Sequence, residues 1–535
     1  LIAIVILGFY LRIYHIDYPV IGYHNNKEVH YLTEARNFAR EGFFKYGFFV
    51  PALGYPRLHY DPSGAHSDTF PLTSILVALA FMLFGMNLTV ARLIGVISIT
   101  ATIPLMYLIV NQIFKREDLA IVSAILTAIL PLTVFFSHNV QLINPALLLF
   151  TLSLYFFLKW MDENKSYQLI LTSFFFVLSG LTKYDFLVMG SPFLLLFPFR
   201  RLAKEIKNKR VTVYILSIAV LLLFPAWYFY SNNVVAPRYH TKKIVSVEKV
   251  NYLDILNPSG WTLIKSYFAD SWTLLGTLFA ALGAIIAISN YYKKRKFPEK
   301  FVITLFLSAI LYFILMFFKI KGHSYHMYPM VPSMIFLITY FIGALSDLGK
   351  KLKVEGKGIP YLNFIIILIL LAILFSPMQE ATNRQFDTQF FGLDVAGNYI
   401  KEHKIPGERV MHSSHQAYGV LWHADMKGTR GIPSTVEKMK YAEENLNASW
   451  IFMYNWDFAK VMGNKELWNY IKNNYGLKQF AFIQTSKGIQ PIYMLFKKGG
   501  TFDDSRLNTM LMDKPVQQQD YELTTGKVRL NYINF

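Results

Sequence analysis

The sequence predicts a polytopic α-helical membrane protein with about eleven spans, followed by a C-terminal extracytoplasmic α/β domain. Of the 535 residues, 54% are hydrophobic and only 16% are charged, and the mean hydropathy is +0.33. Soluble domains carry about a quarter charged residues, so this deficit indicates membrane spans. Apolar runs such as "LLLFPAWYFY" and "FIIILILLAILFSP" recur at intervals of about one bilayer crossing.

The apolar runs place the spans along the chain. The first run, residues 1–14, is followed by further spans and by no small-residue cleavage pattern, which favours a truncated span over a cleavable signal. The predicted spans cover residues 1–14, 89–112, 119–136, 144–160, 167–182, 186–199, 211–230, 272–291, 300–318, 326–346 and 359–377.

A shorter run, "FPLTSILVALAFMLFG" at residues 70–85, decides the topology. It has 16 residues, whereas a span needs about 20. The lysines and arginines of the short loops fall on one side of the membrane when the spans are paired, and the positive-inside rule makes that side cytoplasmic. This pairing of the spans requires that residues 70–85 do not cross the membrane. We therefore expect an interfacial helix at 70–85, a cytoplasmic N-terminus and an outer C-terminus.

The same topology sets the domain organisation. Residues 1–377 form the predicted membrane domain, from which two long segments, 15–88 and 231–271, face outward. The tail, residues 385–535, alternates strand-like runs such as "SWIFMYN" with amphipathic runs such as "VEKMKYAEENL". This alternation predicts a small α/β domain at the outer membrane face.

Charge and cysteine content exclude several classes of function. The net charge is +19, but the basic residues lie mainly in short loops between apolar runs, where they set orientation and contact anionic lipid rather than nucleic acid. The chain has no cysteine, which excludes disulfides, thiolate catalysis and Cys-ligated metals. Ionisable residues concentrate in outer loops and at span ends, and no inverted repeat relates the two halves, which disfavours a transporter.

The first outer loop contains an acidic helix. With residues 24–40 placed at about 100° per residue, Glu28 lies at the centre of the apolar face and Glu34 lies toward the polar face. The apolar face turns to the membrane or the protein interior, so we expect Glu28 to be partly dehydrated and Glu34 to be nearer water. Burial raises the pKa of a carboxyl unless a cation compensates, which makes Glu28 a candidate general base. The alternative is that Glu28 only ties the loop to a basic neighbour such as Arg36.

Histidines and acids recur later in the same loop, in "YPRLHYDPSGAHSDTFPL". His59, Asp61, His66 and Asp68 lie within ten residues of one another, between proline and glycine turn signals. Imidazole and carboxylate groups are ligands for divalent ions, so these four residues are candidate metal ligands. Their spacing matches no strict metal motif, and the alternative is a polar surface loop at the membrane edge.

Cations from three other outer loops are expected at a corresponding depth. Groups that converge on an outer cavity in this way suit a phosphate or pyrophosphate. The alternative for each cation taken singly is a side chain that reaches the lipid headgroups. The candidate phosphate-binding residues in these loops are Lys183, Arg238, Lys321, His323 and His326.

The order of these elements resembles the GT-C membrane glycosyltransferases, in particular the protein O-mannosyltransferase and lipid A aminoarabinose transferase group. That order is a span, an acidic outer loop, a "KPPL"-like short helix, "TK" at a span end, a histidine–tyrosine element at a helix start and an outer α/β domain. The matching stretches here are "NKEVHYLTEA", Thr69-Phe70-Pro71-Leu72, "LTKYDF" and "KIKGHSYHMYP". The resemblance covers the chain to about residue 377, and the tail more loosely.

The resemblance implies an activity and roles for particular residues. Members of the group transfer a sugar with inversion from a polyprenyl-phosphate donor at the outer face, and a carboxylate in the first outer loop acts as the base. Lys183 matches the "TK" lysine, which the resemblance implies contacts the donor phosphate. His323 and Tyr325-His326 match the histidine–tyrosine element. Arg238 is the best match for a phosphate-binding arginine in the long outer loop.

The chain departs from the group at two positions. Aligning Glu28 and Tyr31 with the group's Glu and Tyr places the group's aspartate on Lys27. The base is then Glu28 or an acid of the later loop, Asp61 or Asp68, unless activity is lost. The lysine of the "KPPL" element is also missing, and Lys27 or Arg57 is a candidate to replace it.

The leading hypothesis is an inverting glycosyltransferase of the cell membrane. Its predicted partners are a polyprenyl-phosphate sugar donor, a protein, lipid or glycan acceptor and membrane lipids, with no nucleic acid. No cofactor is certain, and a divalent metal such as Mg or Mn is an open alternative. The competing hypothesis is a non-catalytic polytopic protein, either a binding scaffold or a transporter, and Lys27 in place of the group's aspartate is its best support.

Overall fold

Long apolar helices form the part of the chain before residue 388. The computed structural model describes residues 1–55, 63–208, 211–241, 255–354, 357–358, 361–506 and 514–535. Among these residues, seven helices are long and apolar enough to cross a membrane. They are Leu88–Phe114, Ile143–Glu163, Thr212–Tyr239, Leu274–Lys294, Phe297–Ile320, Ser324–Lys351 and Leu362–Asp387.

Two bent helix pairs and two shorter helices lie where the remaining spans are predicted. The pair Glu117–Ile129 and Pro131–Ser137 bends by 49°, and the pair Asp185–Leu195 and Phe199–Lys207 bends by 71°. Proline begins the second helix of the first pair, since it cannot continue the hydrogen-bond ladder of the preceding helix. The shorter apolar helices Ile2–Arg12 and Ser166–Thr182 match the predicted spans 1–14 and 167–182. The polytopic helical fold is therefore confirmed. By length and apolarity the described residues yield seven spans, or nine if each bent pair is one span, and the two shorter helices lie at the remaining two predicted spans.

The run at 70–85 forms the short helix Leu72–Phe84, which begins directly after Pro71. Thr73, Ser74, Val77, Ala78, Ala80 and Phe81 are buried on one side of it, while Leu79, Met82, Leu83 and Phe84 are exposed. It packs against the helix Asn25–Glu41 of the first loop and against the span Leu88–Phe114. That it lies at the membrane interface stays a prediction.

The C-terminal domain is built on a seven-stranded sheet. Two short strands before it, β1 Lys353–Val354 and β2 Lys357–Gly358, form a separate ribbon. The strands of the sheet are β3 Arg409–His412, β4 Lys427–Gly428, β5 Ala448–Tyr454, β6 Tyr475–Thr485, β7 Gly488–Lys498, β8 Gln517–Leu523 and β9 Gly526–Asn534. Their spatial order is β4-β3-β5-β7-β6-β9-β8, in which β3 is parallel to β4 and β5 and the other neighbours are antiparallel.

Helices cover this sheet and complete the predicted α/β arrangement. Their alternation with the strands follows from amphipathic runs that bury one face, such as Met439, Ala442 and Leu446 in "VEKMKYAEENL". The helices of this part are Leu393–His403, Gly419–His423, Val436–Leu446, Asn455–Gly463 and Lys465–Asn474. The helix Pro258–Ser271 belongs neither to the candidate spans nor to this domain. The same holds for the helix Asn25–Glu41 of the first loop, and we call Asn25–Glu41 the loop helix.

The loop helix joins the membrane domain to the C-terminal domain. Its apolar side chains Val29, Leu32 and Phe38 belong to the same buried cluster as Trp450 and Tyr493 of the sheet. The backbones of the first loop and of the C-terminal domain also approach each other closely at Val20 and Gly419. A Cβ on Gly419 would lie 2.0 Å from the carbonyl oxygen of Val20, so only glycine allows helix Gly419–His423 to pack there.

Two arginines of the loop helix share one carboxylate of the C-terminal domain. Arg36 Nη1 donates to Asp425 Oδ1 at 3.0 Å, and Arg40 Nη1 donates to the same oxygen at 2.9 Å. Arg36 is only 4% exposed at its side chain, so much of this pair is shielded from water. The contact fixes the C-terminal domain against the helix that carries the acids of the first loop.

We expect Asp425→Asn to loosen the contact between the loop helix and the C-terminal domain. Removing the shared charge should cost about 1–3 kcal/mol of unfolding free energy, because Arg36 loses the carboxylate that compensates its burial. Hydrogen exchange of the amides of helix Gly419–His423 should accelerate. The matched control is Asp520→Asn, which breaks the exposed pair with Arg529 and should cost much less, because water screens both charges. Equal effects of the two substitutions would contradict the prediction.

Candidate active site

Glu28 is locked in a buried ion pair with an arginine of the span Leu88–Phe114. Arg92 Nε donates to Glu28 Oε1 at 2.8 Å, and Arg92 Nη2 donates to Oε2 at 3.2 Å. Both side chains are 2% exposed. Arg92 Nη1 also donates to the carbonyl oxygens of Ile16 and Tyr18, at 3.0 and 2.6 Å. Glu28 is therefore buried as predicted, but its basic partner is Arg92 rather than Arg36, and both of its oxygens are engaged.

Glu34 is also buried, and the prediction that it lies nearer water is wrong. It is 2% exposed, because the polar face of the loop helix is covered by residues 66–74 of the first loop instead of by solvent. His66 Nδ1 lies 2.8 Å from Glu34 Oε1, His30 Nε2 lies 3.1 Å from the same oxygen, and Ser74 Oγ donates to Oε2 at 2.6 Å. The periodicity of one helix shows which of its faces is apolar, but it could not show that residues 66–74 cover the polar face.

Asp68 extends this polar cluster toward open space. Its Oδ1 lies 3.2 Å from His66 Nε2, and its side chain is 60% exposed. Burial lowers the pKa of His66, but the carboxylates of Asp68 and Glu34 outweigh it and raise that pKa to about 10. Burial likewise raises the pKa of Glu34, and the charges and hydrogen bonds of His30 and His66 lower it to about 2. Around neutral pH, His66 is therefore a cation between two carboxylates.

Three of these side chains have the geometry of a metal site. One ligand atom each from His30, Glu34 and His66 lies within 4.8 Å of the others. His66 was a predicted ligand, whereas His30 and Glu34 were not, although their i, i+4 spacing on a helix was a usable signal. Asp68 reaches the cluster through His66. His59 and Asp61 lie outside the described residues.

A second cluster collects cations around one buried acid. Asp185 Oδ2 lies 3.1 Å from Lys183 Nζ and 3.1 Å from His326 Nδ1, and Asp185 Oδ1 lies 3.7 Å from Lys319 Nζ. The structure thus brings together the predicted residues Lys183 and His326. It adds Lys319, which is two residues before the predicted Lys321 and lies in the last turn of the span Phe297–Ile320.

The other predicted phosphate-binding residues lie elsewhere. Lys321 packs beside Gly260 of helix Pro258–Ser271. Arg238 is exposed, and its guanidinium lies 5.3 Å from the centroid of the Tyr239 ring. Arg57 lies outside the described residues. The poor match of the long outer loop to the family pattern explains why Arg238 could not be placed from sequence.

Lys27 lies between the two clusters. Burial lowers its pKa, and the positive charge of Lys183 lowers it further, whereas Asp68 and Glu34 raise it. Lys183 Nζ lies 5.9 Å from the centroid of the Tyr325 ring, whose plane is stacked with the ring of His323. The acid cluster and the cation cluster therefore face a common region that contains Lys27.

His24 completes the wall of this region and was missed by the sequence analysis. It is 1% exposed, and its ring centroid lies 5.1 Å from those of both His323 and Tyr325. Neither ring nitrogen has a hydrogen-bond partner among the described residues. The backbone of His24 is left-handed, with φ 61°, at the N-terminus of the loop helix. Such strain in a buried, unpaired histidine is typical of functional sites, and no sequence pattern signalled it.

Comparisons with known proteins place this arrangement in a class. Residues 66–229 match the family model described as dolichyl-phosphate-mannose-protein mannosyltransferase. No curated protein sequence matches the chain. Solved structures with similar folds include the oligosaccharyltransferase AglB of Archaeoglobus fulgidus in complex with an inhibitory peptide and a dolichol-phosphate. That match has a TM-score of 0.59 at 13% identity and covers 95% of this chain and 74% of AglB.

Two further structures support the same fold. ArnT of Cupriavidus metallidurans in the apo state matches with a TM-score of 0.57 at 10% identity, over 92% of this chain and 97% of ArnT. The Archaeoglobus fulgidus oligosaccharyltransferase in complex with Zn and sulfate matches with a TM-score of 0.56 at 14% identity, over 92% of this chain and 72% of that one. The chain is thus an integral membrane protein with the GT-C fold of membrane glycosyltransferases, as its sequence predicts.

A double-mutant cycle on Glu28 and Arg92 separates a structural role of Glu28 from a catalytic one. Glu28→Gln should lower the unfolding free energy by about 3–5 kcal/mol, because Arg92 is left as an uncompensated buried charge. The double variant Glu28→Gln with Arg92→Met should lose less than the sum of the two single losses. Thermal unfolding of the purified protein in detergent measures both effects. Unchanged stability of Glu28→Gln together with lost turnover would instead identify Glu28 as the base.

Proposed function

We propose that this protein is an inverting glycosyltransferase that moves a sugar from a polyprenyl-phosphate donor to a hydroxyl or amide group of a protein, lipid or glycan acceptor. The observation that carries the proposal is the pairing of a cation cluster around Asp185 with an acid and histidine cluster around Glu34, on either side of Lys27. The GT-C fold and the family match over residues 66–229 support the same chemistry.

The cation cluster suits the phosphate of the donor. Lys183 and Lys319 are fixed by Asp185, so their ammonium groups are already oriented before a ligand binds. When the bond between the anomeric carbon and the phosphate oxygen breaks, the phosphate leaves with its electron pair and gains negative charge. Preorganised cations stabilise that charge more than they stabilise the bound donor, which is the electrostatic part of catalysis.

Among the described acids, Asp68 is the best placed to contact the acceptor. Glu28 has both oxygens on Arg92, and Glu34 is enclosed by His30, His66 and Ser74, whereas Asp68 is 60% exposed. We infer that Asp68 accepts the proton of the attacking hydroxyl or amide as the new bond to the anomeric carbon forms. Its partner His66 holds the carboxylate in position. Asp61, the other candidate from the sequence, lies outside the described residues.

A divalent metal fits the acid cluster. Two imidazoles and one carboxylate within 4.8 Å of one another form a ligand set suited to Zn or Mn. A bound metal would supply positive charge that neutralises oxygen atoms of the reacting groups. Ligation of His66 requires its neutral form, so metal binding must release the proton that Asp68 and Glu34 now hold on its ring.

The orientation of the site follows from loop charge. Lys115, Arg116, Lys293 and Lys294 follow or end spans on the side that the positive-inside rule assigns to the cytoplasm. The loop helix and the C-terminal domain then belong to the outer face, where lipid-phosphate sugars are consumed in this class. A binding scaffold, the competing hypothesis, would need the cation cluster but no acid exposed beside it.

Two substitutions test the proposed roles of Lys183 at the donor phosphate and of Asp68 as the base. Lys183→Met should reduce turnover of a polyprenyl-phosphate sugar by about 10²–10³-fold, since it removes a cation from the leaving phosphate. Asp68→Asn should reduce turnover by about 10²–10⁴-fold while donor binding stays unchanged. The measurement is release of polyprenyl phosphate by purified protein, beside equilibrium binding of the donor.

The control for both is Lys159→Met, which removes a cation paired with Glu163 at a span end. It should leave donor binding and turnover as in the parent protein. Donor binding without turnover in the parent protein, over protein, lipid and glycan acceptors, would favour the scaffold. Full turnover by Asp68→Asn would transfer the base role to Asp61 or Glu28.

Metal removal tests the histidine and glutamate cluster. Chelation should abolish turnover, and Zn or Mn should restore it. Metal analysis of the purified protein should find about one divalent ion per chain, and His30→Ala should lose that ion. His403→Ala, which alters an exposed histidine of the C-terminal domain, is the matched control. Retention of the ion by His30→Ala, or full turnover after complete chelation, would contradict the assignment.

A further inference from the structure

A cavity lies near the candidate active site, between the apolar helices Ile2–Arg12 and Leu362–Asp387. Its volume is about 470 Å³, within the range of about 300–1,000 Å³ that ligand sites occupy. It is bounded by the C-terminal end of Ile2–Arg12, by the bend after Ile129 and by the second half of Leu362–Asp387. The lining residues are Tyr10, Leu11, Ile13, Tyr14, Ile129, Val134, Phe375, Met378, Gln379, Thr382, Asn383, Phe386 and Thr524.

An aromatic wall separates this cavity from the site. The ring of Phe386, which lines the cavity, lies 5.3 Å from that of Phe135. Phe135 in turn lies 6.4 Å from Tyr23, whose ring is 3.8 Å from that of His24. The cavity is therefore a neighbour of the active-site region but not a part of it.

The lining of the cavity is mostly apolar and carries no charged side chain. This is the opposite of the region around Lys183 and Lys319, where a phosphate is expected. Most of the wall is aromatic or aliphatic, and it follows the outer half of the helix Leu362–Asp387 for about three turns. A wall of this kind buries a hydrocarbon chain, because apolar contact needs no partner for charge.

One uncharged polar pair interrupts the apolar lining. Gln379 Nε2 donates to Asn383 Oδ1 at 2.8 Å. This bond leaves the NH2 group of Asn383 and the amide oxygen of Gln379 available to a ligand. If the two amides are assigned the other way round, an NH2 group and an amide oxygen again remain. A group that both donates and accepts, such as a hydroxyl, complements the pair.

The charges around the cavity are mainly negative. Asp387 accepts hydrogen bonds from the backbone nitrogen and the hydroxyl of Thr524, both at 2.6 Å. Arg384, the cation of the same helix turn, is neutralised by Asp270 and Glu380 at 3.0 Å each. An anionic head group would therefore lie near a carboxylate that has no cation within ion-pair distance among the described residues.

We propose that this cavity is a binding site for a neutral lipid. Its hydrocarbon chain lies between the helices Ile2–Arg12 and Leu362–Asp387, and its hydroxyl-bearing head contacts the free donor and acceptor of Gln379 and Asn383. A lipid phosphate is disfavoured here by Asp387 and is directed to the lysines around Asp185. The two lipid classes are thus separated by charge, and the inference does not depend on the transfer reaction.

Photolabelling with two matched probes tests the proposal. The probes are a diazirine-bearing long-chain alcohol and the alkyl phosphate of the same chain length, applied to the full chain in detergent. The alcohol should label residues 375–386 about tenfold more than the phosphate, because the phosphate brings negative charge toward Asp387. Equal labelling by the two probes would overturn the proposal.

Variants of the helix Leu362–Asp387 complete the test. Thr382→Trp fills the cavity and should abolish labelling by the alcohol, and Gln379→Leu should reduce it about three- to tenfold through the lost hydrogen bond. Leu368→Trp, at a 66% exposed position of the same helix, should leave it unchanged. Both Thr382→Trp and Gln379→Leu must retain the thermal midpoint of the parent protein. Normal labelling of a folded Gln379→Leu protein refutes the proposed head-group contact.

Discussion

The buried pair between Glu28 and Arg92 holds the first loop on the membrane domain. The guanidinium of Arg92 binds the carboxylate of Glu28 on the loop helix. It also binds the backbone carbonyls of residues 16 and 18, which follow the first apolar helix. The end of the first apolar helix, the loop helix and the span Leu88–Phe114 therefore meet at one planar group. Arginine is suited to this role because its fork of donors remains charged and binds a carboxylate with two parallel bonds.

The rest of the site depends on the position that this pair gives to the loop helix. With Glu28 turned to Arg92, the i+6 residue Glu34 faces residues 66–74, and Arg36 faces Asp425 of the C-terminal domain. One helix thus makes three polar contacts with three different partners, all of them shielded from bulk water. A buried ion pair adds little net stability, but the loss of one partner is costly, so such pairs favour one arrangement over its competitors.

The sequence predicted the architecture well because span length, loop charge and strand–helix alternation are local signals. The same signals placed Lys183 and His326 at span ends, where they meet at Asp185. The helical phase of the loop correctly buried Glu28. It failed for Glu34, since the phase of one helix reports which face is apolar but not what covers its polar face. It also could not find His24, whose importance lies in a left-handed backbone and an unpaired ring.

Lys27 stands at the position where the resemblance to the GT-C group predicts an aspartate. The region around Lys27 contains groups of both charges. The groups that bear or can bear positive charge include Lys27, Lys183, Lys319 and His66, and the carboxylates include Glu34, Asp68 and Asp185. Glu34 lies about two turns after Lys27 on the loop helix, and Asp68 lies in the following loop, so position 27 itself carries a cation. Burial and Lys183 lower the pKa of Lys27. A bound phosphate would raise it again, so binding of an anion and protonation of this lysine favour each other. As part of the proposed function, we therefore propose that Lys27, which has cations on one side and carboxylates on the other, contacts the region between the leaving phosphate and the sugar it carries.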